Sequence, residues 1–129
     1  MDRLLTGRRI LVVEDEMLIV LMIEDMLADL GCEAVTTAAT ADRALSHIAG
    51  QIFDAAMLDM NLDGKDSLTV ADALAARGVP FVFCTGNTSN SKADHRDRAV
   101  LRKPFSEEAL ASALGRLLSP DESASKIST

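Results

Sequence analysis

The chain has 129 residues, a length that fits one domain and is sufficient to bury a hydrophobic core. Its formal net charge of −7 argues against a nucleic-acid-binding surface, because phosphate groups are bound mainly by clustered Lys and Arg. No apolar run reaches the roughly 18 residues of a membrane span, and the N-terminus lacks the apolar core of a secretion signal, so we expect a cytoplasmic protein.

Short apolar runs alternate with segments of helical periodicity along the chain. The predicted strands span residues 9–13, 33–37, 53–58, 79–84 and 98–102. The predicted helices, with their capping residues, span 16–30, 40–49, 66–77 and 106–118. Gly31, Gly50 and Gly78 each follow a helix, where a left-handed C-terminal cap is expected. Strands that alternate with helices predict right-handed βαβ units around a parallel sheet.

The predicted strands differ in how apolar they are. The runs that begin at Ile10, Phe53 and Phe81 are continuous, which is typical of strands buried on both faces. The second and fifth strands carry or adjoin polar residues and are expected at the sheet edges. Two edges around three central strands predict an α/β, flavodoxin-like sheet in the order 2-1-3-4-5, with helices on both faces. The first strand is not followed by the Gly-rich turn that a dinucleotide requires.

Two segments contain few apolar residues. Residues 86–97 read GNTSNSKADHRD, for which we expect a short, poorly packed or disordered fourth helix, or a mobile loop. Residues 119–129 are small and polar and predict a disordered tail. We therefore expect one domain over residues 1–118. Within it, Cys32 and Cys84 have no partner at metal spacing and predict buried thiols in a reducing compartment.

Polar residues follow four of the five predicted strands. Ligands bind beyond the carboxyl ends of the strands in parallel α/β sheets, so these residues are expected to meet at one edge. They comprise three carboxylates, one hydroxyl and one ammonium: Glu14, Asp15, Asp59, Thr85 and Lys103. Ionised carboxylates in one place repel one another unless a cation is present. The pattern therefore predicts a cation site.

The oxygen ligands predict Mg²⁺, with Mn²⁺ as an alternative, because hard cations prefer carboxylates and carbonyls. Asp15 and Asp59 are the expected direct ligands. Glu14 is expected to act through a water molecule, and Asn61 through its backbone carbonyl. One oxygen of Asp59 then remains to attack phosphorus.

The ammonium and the hydroxyl suit a transferred phosphoryl group. Charge develops on the equatorial oxygens of that group, so catalysis relies on positioning and on cations. Lys103 supplies a point charge and Thr85 a hydroxyl donor. Together with the metal ligands, they predict that Asp59 accepts a phosphoryl group.

The stretch LDMNLDG, residues 58–64, also raises two other interpretations. A calcium loop needs a bidentate acid at its twelfth position, where this chain has Val70, and it follows a helix, not a strand. A phosphatase with an aspartate nucleophile needs a second Asp two residues later as general acid, where this chain has Asn61. Both interpretations are less favoured than a phosphate-accepting Asp59.

Taken together, the acidic pair Glu14 and Asp15, the acceptor Asp59, the hydroxyl of Thr85 and Lys103 resemble the CheY-like receiver domain of bacterial two-component response regulators. The resemblance covers residues 8–118. It implies Mg²⁺-dependent transfer from a phosphohistidine of a sensor kinase to the aspartate, slow self-dephosphorylation, and a cis bond before the proline that follows the lysine. The sequence PFVFCTG is also similar to single-domain alphaproteobacterial receivers with a Phe-Ala-Thr-Gly-hydrophobic-Tyr signature.

The chain departs from most receivers at Val100, where they carry a Tyr or Phe that turns inward as the switch threonine moves. The interval from Thr85 to Lys103 is also shorter than usual. The usual aromatic output is therefore expected to be absent. We hypothesise that the signal is instead an ordering of residues 87–97 when Thr85 closes on the phosphoryl group.

The predicted first helix is more apolar than one buried face requires. Met17 and Leu21 are candidates for an exposed patch, and flexible Met side chains suit the binding of a partner. The resemblance implies that a sensor histidine kinase or a phosphotransfer protein docks beside this helix.

Without an output domain, the protein is expected to signal by binding an unidentified downstream protein, or to act as a phosphate shuttle or sink. It would then be a phosphoacceptor and not an enzyme that turns over a substrate. Two alternatives remain: a small phosphatase with an aspartate nucleophile, and a receiver-like scaffold that binds partners without phosphorylation.

Overall fold

A computed structural model describes residues 5–60, 67–85, 99–103 and 105–118. Its strands are β1 (Arg9–Val13), β2 (Ala34–Ala38), β3 (Ala55–Asp59), β4 (Phe81–Thr85) and β5 (Ala99–Arg102). Its helices are α1 (Met17–Asp29), α2 (Ala41–Gly50), α3 (Ser67–Ala76) and α4 (Glu107–Leu117). These five strands and four helices match the predicted ranges, with ends that differ by at most two residues. None of the helices in this part of the chain is both long and apolar enough to cross a membrane.

The five strands form one parallel sheet in the order β2-β1-β3-β4-β5, which confirms the predicted order. Every residue of β3 and β4 is buried, whereas most of β2 is only half-buried, as expected for an edge strand. Parallel pairing places the carboxyl ends of all the strands along one edge of the sheet. We call this the carboxyl edge, and the opposite one the amino edge.

Helices cover both faces of the sheet, as predicted. Alternate residues of a strand point to opposite faces. In β1, Ile10 and Val12 belong to a core cluster that includes residues of α1 and α4. Leu11 and Val13 belong to a second cluster, with residues of α2 and α3. The central strands are continuously apolar because both of their faces are buried.

The helix ends follow local chemistry. The Thr40 hydroxyl accepts a hydrogen bond from the Arg43 N–H at 3.1 Å, and the Ser106 hydroxyl accepts one from the Ala109 N–H at 3.0 Å, so both predicted caps are present. Gly31 and Gly78 have φ angles of 87° and 73°, in the left-handed region predicted for them.

The prediction for Gly50 was wrong, because Gly50 is the last residue of α2 and does not have a positive φ. The next residue, Gln51, is extended, with φ −140°. Its N–H donates to the carbonyl of His47 at 3.0 Å. This bond closes the last turn, so a left-handed residue is not needed there.

Residues before β1 add to the core. Leu5 is fully buried, and its N–H donates to the carbonyl of Leu30 at 2.8 Å. Thr6 forms an antiparallel bridge with Cys32, whose thiol is only half-buried and lies 3.4 Å from the Ala34 carbonyl oxygen. Cys84 is buried, as predicted, and burial raises the pKa of its thiol to about 12. Cys84 is therefore an uncharged packing residue at neutral pH.

Several predictions concern residues outside the described ranges. They are the structure of residues 86–97, the tail at 119–129, the cis peptide before Pro104 and the backbone carbonyl of Asn61. All of them stay predictions.

Candidate functional site

The predicted site residues lie together at the carboxyl edge. Asp59 is the last residue of β3 and Thr85 is the last residue of β4. Glu14 and Asp15 come directly after β1, in the turn that leads into α1. Lys103 follows β5, and its backbone N–H donates to the carbonyl of Thr85 at 2.7 Å. The strand order accounts for the convergence, because β1 and β4 flank β3 and β5 flanks β4.

The Lys103 ammonium lies between two carboxylates. Its Nζ is 2.9 Å from Glu14 Oε1 and 3.4 Å from Asp59 Oδ1. Only 2% of the Glu14 residue and 4% of Asp59 are exposed, so both contacts form in a poorly solvated environment. Coulombic interactions are stronger in such an environment than at an open surface. Lys103 therefore brings a positive charge into this site.

Glu14 links the site to the start of α1. Its Oε2 accepts a hydrogen bond from the Glu16 N–H at 3.2 Å. Glu16 is the N-cap of α1 and lies directly before its first turn. Glu14 thus has one oxygen on the helix start and the other on Lys103. The sequence predicted that Lys103 lies beside the acidic residues, but not that its nearest carboxylate is that of Glu14.

The carboxylates form a site that fits a divalent cation. Oxygen atoms of Glu14, Asp15 and Asp59 all lie within 4.8 Å of one another. Asp15 is open to solvent, whereas the other two are buried. Close carboxylates disfavour their joint ionisation, and a hard cation relieves that repulsion. The donor set consists entirely of oxygen, as Mg²⁺ prefers.

The pKa values of Glu14 and Lys103 are both raised, which favours the neutral form of the carboxyl group and the charged form of the amine. Burial raises the pKa of Glu14, with a further contribution from the charge of Asp59, although the bond to Lys103 opposes this. Burial alone would lower the pKa of Lys103, but the close contact with Glu14 and the charge of Asp59 outweigh it and raise that pKa. Lys103 is therefore an ammonium ion at neutral pH.

A hydrogen bond from Ser67 connects the start of α3 to the backbone just after β3. Ser67 is the first residue of this helix. The buried Ser67 hydroxyl donates to the carbonyl of Met60 at 3.1 Å. The Met60 N–H in turn donates to the carbonyl of Cys84 at 3.0 Å. These bonds hold the backbone next to Asp59.

One face of α1 leaves large apolar side chains in solvent. Met17 is 65% exposed, Leu18 80% and Leu21 52%. The apolar side chains that this helix carries beyond its buried face therefore lie at the surface, directly after the acidic turn. We call these three residues the α1 patch. Val100, which pairs in register with Phe83, is also half-exposed, so it does not fill a buried aromatic position.

Comparisons with known proteins agree with this geometry. The family model of the response regulator receiver domain matches residues 10–115. The solution structure of SdrG from Sphingomonas melonis Fr1 is 47% identical, with a TM-score of 0.78, and the match covers 89% of this chain and 98% of that one. The BeF3-activated conformation of SdrG from Pseudomonas melonis Fr1 is 46% identical, with a TM-score of 0.76 and coverage of 85% and 95%.

A third similar structure is the receiver domain of the sensor histidine kinase PA1611 from Pseudomonas aeruginosa PAO1, described with a magnesium ion in its active-site cleft. It is 30% identical, with a TM-score of 0.75, and the match covers 88% of this chain and 98% of that one. No curated protein sequence matched the chain.

Proposed function

The chain belongs to the response regulator receiver family, and from this premise we propose that it accepts a phosphoryl group on Asp59 from a histidine kinase or a phosphotransfer protein. The observation that carries the proposal is the Lys103 ammonium, 3.4 Å from a buried Asp59 carboxylate that lies within a carboxylate cluster. An ammonium so close to a nucleophilic oxygen suits a reaction in which negative charge is delivered to that oxygen.

The carboxylate cluster supports a requirement for Mg²⁺, or alternatively Mn²⁺. Asp15 and Asp59 would hold the ion directly, Glu14 would act through water, and the Asn61 carbonyl would complete the set. When bound, the ion supplies positive charge that screens the carboxylates from an incoming phosphate. The similar receiver domain of PA1611 is described with a magnesium ion in its active-site cleft, which favours the same ion here.

The proposed transfer is an in-line displacement. An Asp59 carboxylate oxygen forms a bond to phosphorus as the P–N bond of the donor phosphohistidine breaks. The electron pair of that bond returns to the imidazole, and the product is an acyl phosphate. The Lys103 ammonium pairs with a phosphoryl oxygen, and the Thr85 hydroxyl donates a hydrogen bond to another.

The α1 patch is the proposed docking surface for the donor. Exposed apolar side chains beside a charged site suit a helical partner, and unbranched Met17 adapts to different surfaces. The proposed output is binding of another protein in the cytoplasm, or service as a phosphate shuttle or sink.

The test is phosphorylation by a small donor. The protein is incubated with acetyl phosphate and Mg²⁺, and the modified residue is mapped by mass spectrometry. We expect one phosphoryl group on Asp59, and none on an Asp59→Asn variant. Modification at another residue, or none with a folded protein, would refute the proposal. Continuous hydrolysis of a free phosphoester would favour the phosphatase, and full signalling by Asp59→Asn would favour the scaffold.

A further inference from the structure

Two exposed arginines of the amino edge reach the connection between α2 and β3 from opposite sides. In the sheet, β3 lies between β1 and β4. Arg9, the first residue of β1, donates its Nε–H to the carbonyl of Ile52 at 3.4 Å. Arg77, which lies between α3 and β4, donates from Nη2 to the carbonyl of Ala49 at 3.3 Å. The connection therefore has a guanidinium group on each side.

These contacts hold the two guanidinium groups without neutralising them. A carbonyl oxygen accepts a hydrogen bond but carries no net charge, and a guanidinium has five N–H donors. In the described ranges, neither Arg9 nor Arg77 has a carboxylate oxygen within 4.0 Å. The neighbouring carboxylate of Asp54 pairs with Arg8 and accepts the backbone N–H of Arg9. Arg9 and Arg77 therefore present positive charge on a chain whose net charge is −7.

The connection between the two arginines exposes an apolar side chain. Ile52 is 79% exposed, although the residues that follow it are well anchored. Phe53 is buried in the core, and Asp54 Oδ2 accepts the Arg9 N–H at 2.8 Å. Protein interfaces combine a central apolar contact with charged groups at the rim. We call Arg9, Ile52 and Arg77 the amino-edge patch.

We propose that the amino-edge patch binds an acidic segment of another protein, with an apolar side chain on Ile52 and carboxylates on Arg9 and Arg77. Guanidinium groups bind carboxylates through paired hydrogen bonds. The carbonyls of Ala49 and Ile52 are three residues apart, so the two cations lie on the order of 10 Å apart. In an extended segment, acidic residues about three or four positions apart span that distance.

The charge of the chain favours a protein partner over other acidic surfaces. Nucleic acids and anionic membranes are bound by clusters of many Lys and Arg residues, whose effect adds up over many phosphates or headgroups. Here two cations act within a chain of net charge −7. Two cations around one apolar side chain suit a short peptide segment.

The amino-edge patch lies at the end of the sheet opposite to Asp59. β3 runs from Ala55 to Asp59, and five residues of a strand span roughly 13 Å. A segment bound at the amino edge therefore leaves the carboxyl edge open to a phosphoryl donor. The inference goes beyond the proposed function and does not depend on it, because the partner is held before and after transfer.

The first test is a selection of short random displayed peptides on the immobilised full chain. We expect the enriched peptides to carry acidic residues on both sides of an apolar one. The double variant Arg9→Glu, Arg77→Glu should bind the most enriched peptide about tenfold more weakly or worse. The double variant Arg43→Glu, Arg102→Glu is the matched control, because both residues are exposed and lie towards the carboxyl edge. It should bind like wild type.

The apolar contact is tested with the same peptide. Ile52→Ser should weaken binding about fivefold or more, because an apolar side chain is lost from the interface. Leu18→Ser is the matched control, since Leu18 is 80% exposed on α1, and it should leave binding unchanged. Amide chemical shifts of the ¹⁵N-labelled protein locate the peptide, and the largest changes are expected in residues 49–54 and 77–80.

Several outcomes would overturn the proposal. They are enrichment of peptides without acidic residues, no enrichment, equal weakening by the two double variants, and shift changes centred on the carboxyl edge. Binding to phosphatidylserine vesicles that is lost in Ile52→Ser, without binding of acidic peptides, would assign the patch to a membrane surface instead.

Phosphorylation provides the last control. Asp59→Asn should bind the selected peptide as tightly as wild type, and loss of binding in this variant would overturn the independence of the two edges. A protein that binds the peptide at the amino edge but takes no phosphate from acetyl phosphate would refute the proposed function and leave this inference intact.

Discussion

The two edges of the sheet each carry an ion pair, and the two pairs differ in almost every respect. At the amino edge, Arg8 Nη1 lies 3.7 Å from Asp54 Oδ1, and the side chains are 41% and 34% exposed. At the carboxyl edge, the Lys103–Glu14 distance is 2.9 Å, and the side chains are 16% and 2% exposed. The first pair lies in solvent, whereas the second is enclosed by the core.

The difference agrees with a structural role for Asp54 and with the functional role proposed for the residues of the carboxyl edge. Asp54 also accepts the Arg9 N–H at 2.8 Å, so its carboxylate satisfies the backbone where β1 begins. Exposed pairs of this kind contribute roughly 0–1 kcal/mol to stability. Buried charges are costly unless they are paired, and a group of them beside a nucleophilic oxygen marks a site of chemistry. Matched substitutions at the two edges therefore test this assignment.

The largest effect is expected from removal of the ammonium. Lys103→Met should slow labelling of Asp59 by acetyl phosphate by about 100-fold or more, because a preorganised charge beside the transferred group is lost. Arg8→Met removes a cation from the amino edge and should label at the wild-type rate. Single-turnover labelling measures both. Similar rates for the two variants would place the catalytic charge elsewhere.

The second-largest effect is expected from a substitution in the α1 patch. It compares exposed apolar side chains near the two edges of the sheet. Leu21→Asp should slow transfer from the cognate kinase about tenfold or more, because an unpaired charge in an interface core is costly. It should spare labelling by acetyl phosphate. Ile52→Asp is the matched control, since Ile52 is 79% exposed near the amino edge. Equal transfer to both variants, or loss of both reactions in Leu21→Asp, would contradict docking at α1.

A smaller effect is expected from Mg²⁺ on stability. Asp15→Ala should raise the stability of the metal-free protein, because it removes one of three repelling carboxylates. Mg²⁺ at ten times its dissociation constant should stabilise wild type by about 1.4 kcal/mol, and the variant by less. Asp54→Ala, at the amino edge, should respond like wild type. Thermal melting with and without Mg²⁺ measures the shifts, and equal shifts in all three proteins would exclude Asp15 as a ligand.

The smallest effect is a pH dependence in metal-free buffer. Burial raises the pKa of Glu14 above its ordinary value of 4.5. A carboxyl group whose pKa is raised by folding contributes stability that is present below pH 4.5 and is lost as pH rises through the folded pKa. Melting temperatures of wild type should therefore fall relative to those of Glu14→Gln as pH rises from 4.5 to neutrality. Parallel curves for the two proteins would show that Glu14 does not titrate differently in the folded state.

The sequence predicted the architecture because the relevant signals are local. Strands buried on both faces need continuous apolar runs, helices need a repeat of 3.6 residues, and caps such as Thr40 and Ser106 act within three residues. Right-handed connections then bring the polar ends of the strands to one edge. The presence of Glu14, Asp59 and Lys103 at that edge follows from this topology.

Local rules failed where a competing hydrogen bond was available. Gly50 was expected in a left-handed cap, but the Gln51 N–H reaches the His47 carbonyl without one. The residue type permits two arrangements there, and the surrounding backbone selects between them.

By itself, then, the sequence determined which elements form, how they are ordered and which charged residues share the carboxyl edge. Only the tertiary structure decided that Lys103 lies nearer to Glu14 than to Asp59, at 2.9 Å against 3.4 Å. The physical reason is that the periodicity of a sequence indicates only which face of a strand or helix a side chain lies on. A preference between two carboxylates depends on differences of less than 1 Å, which arise when strands distant in the sequence pack together.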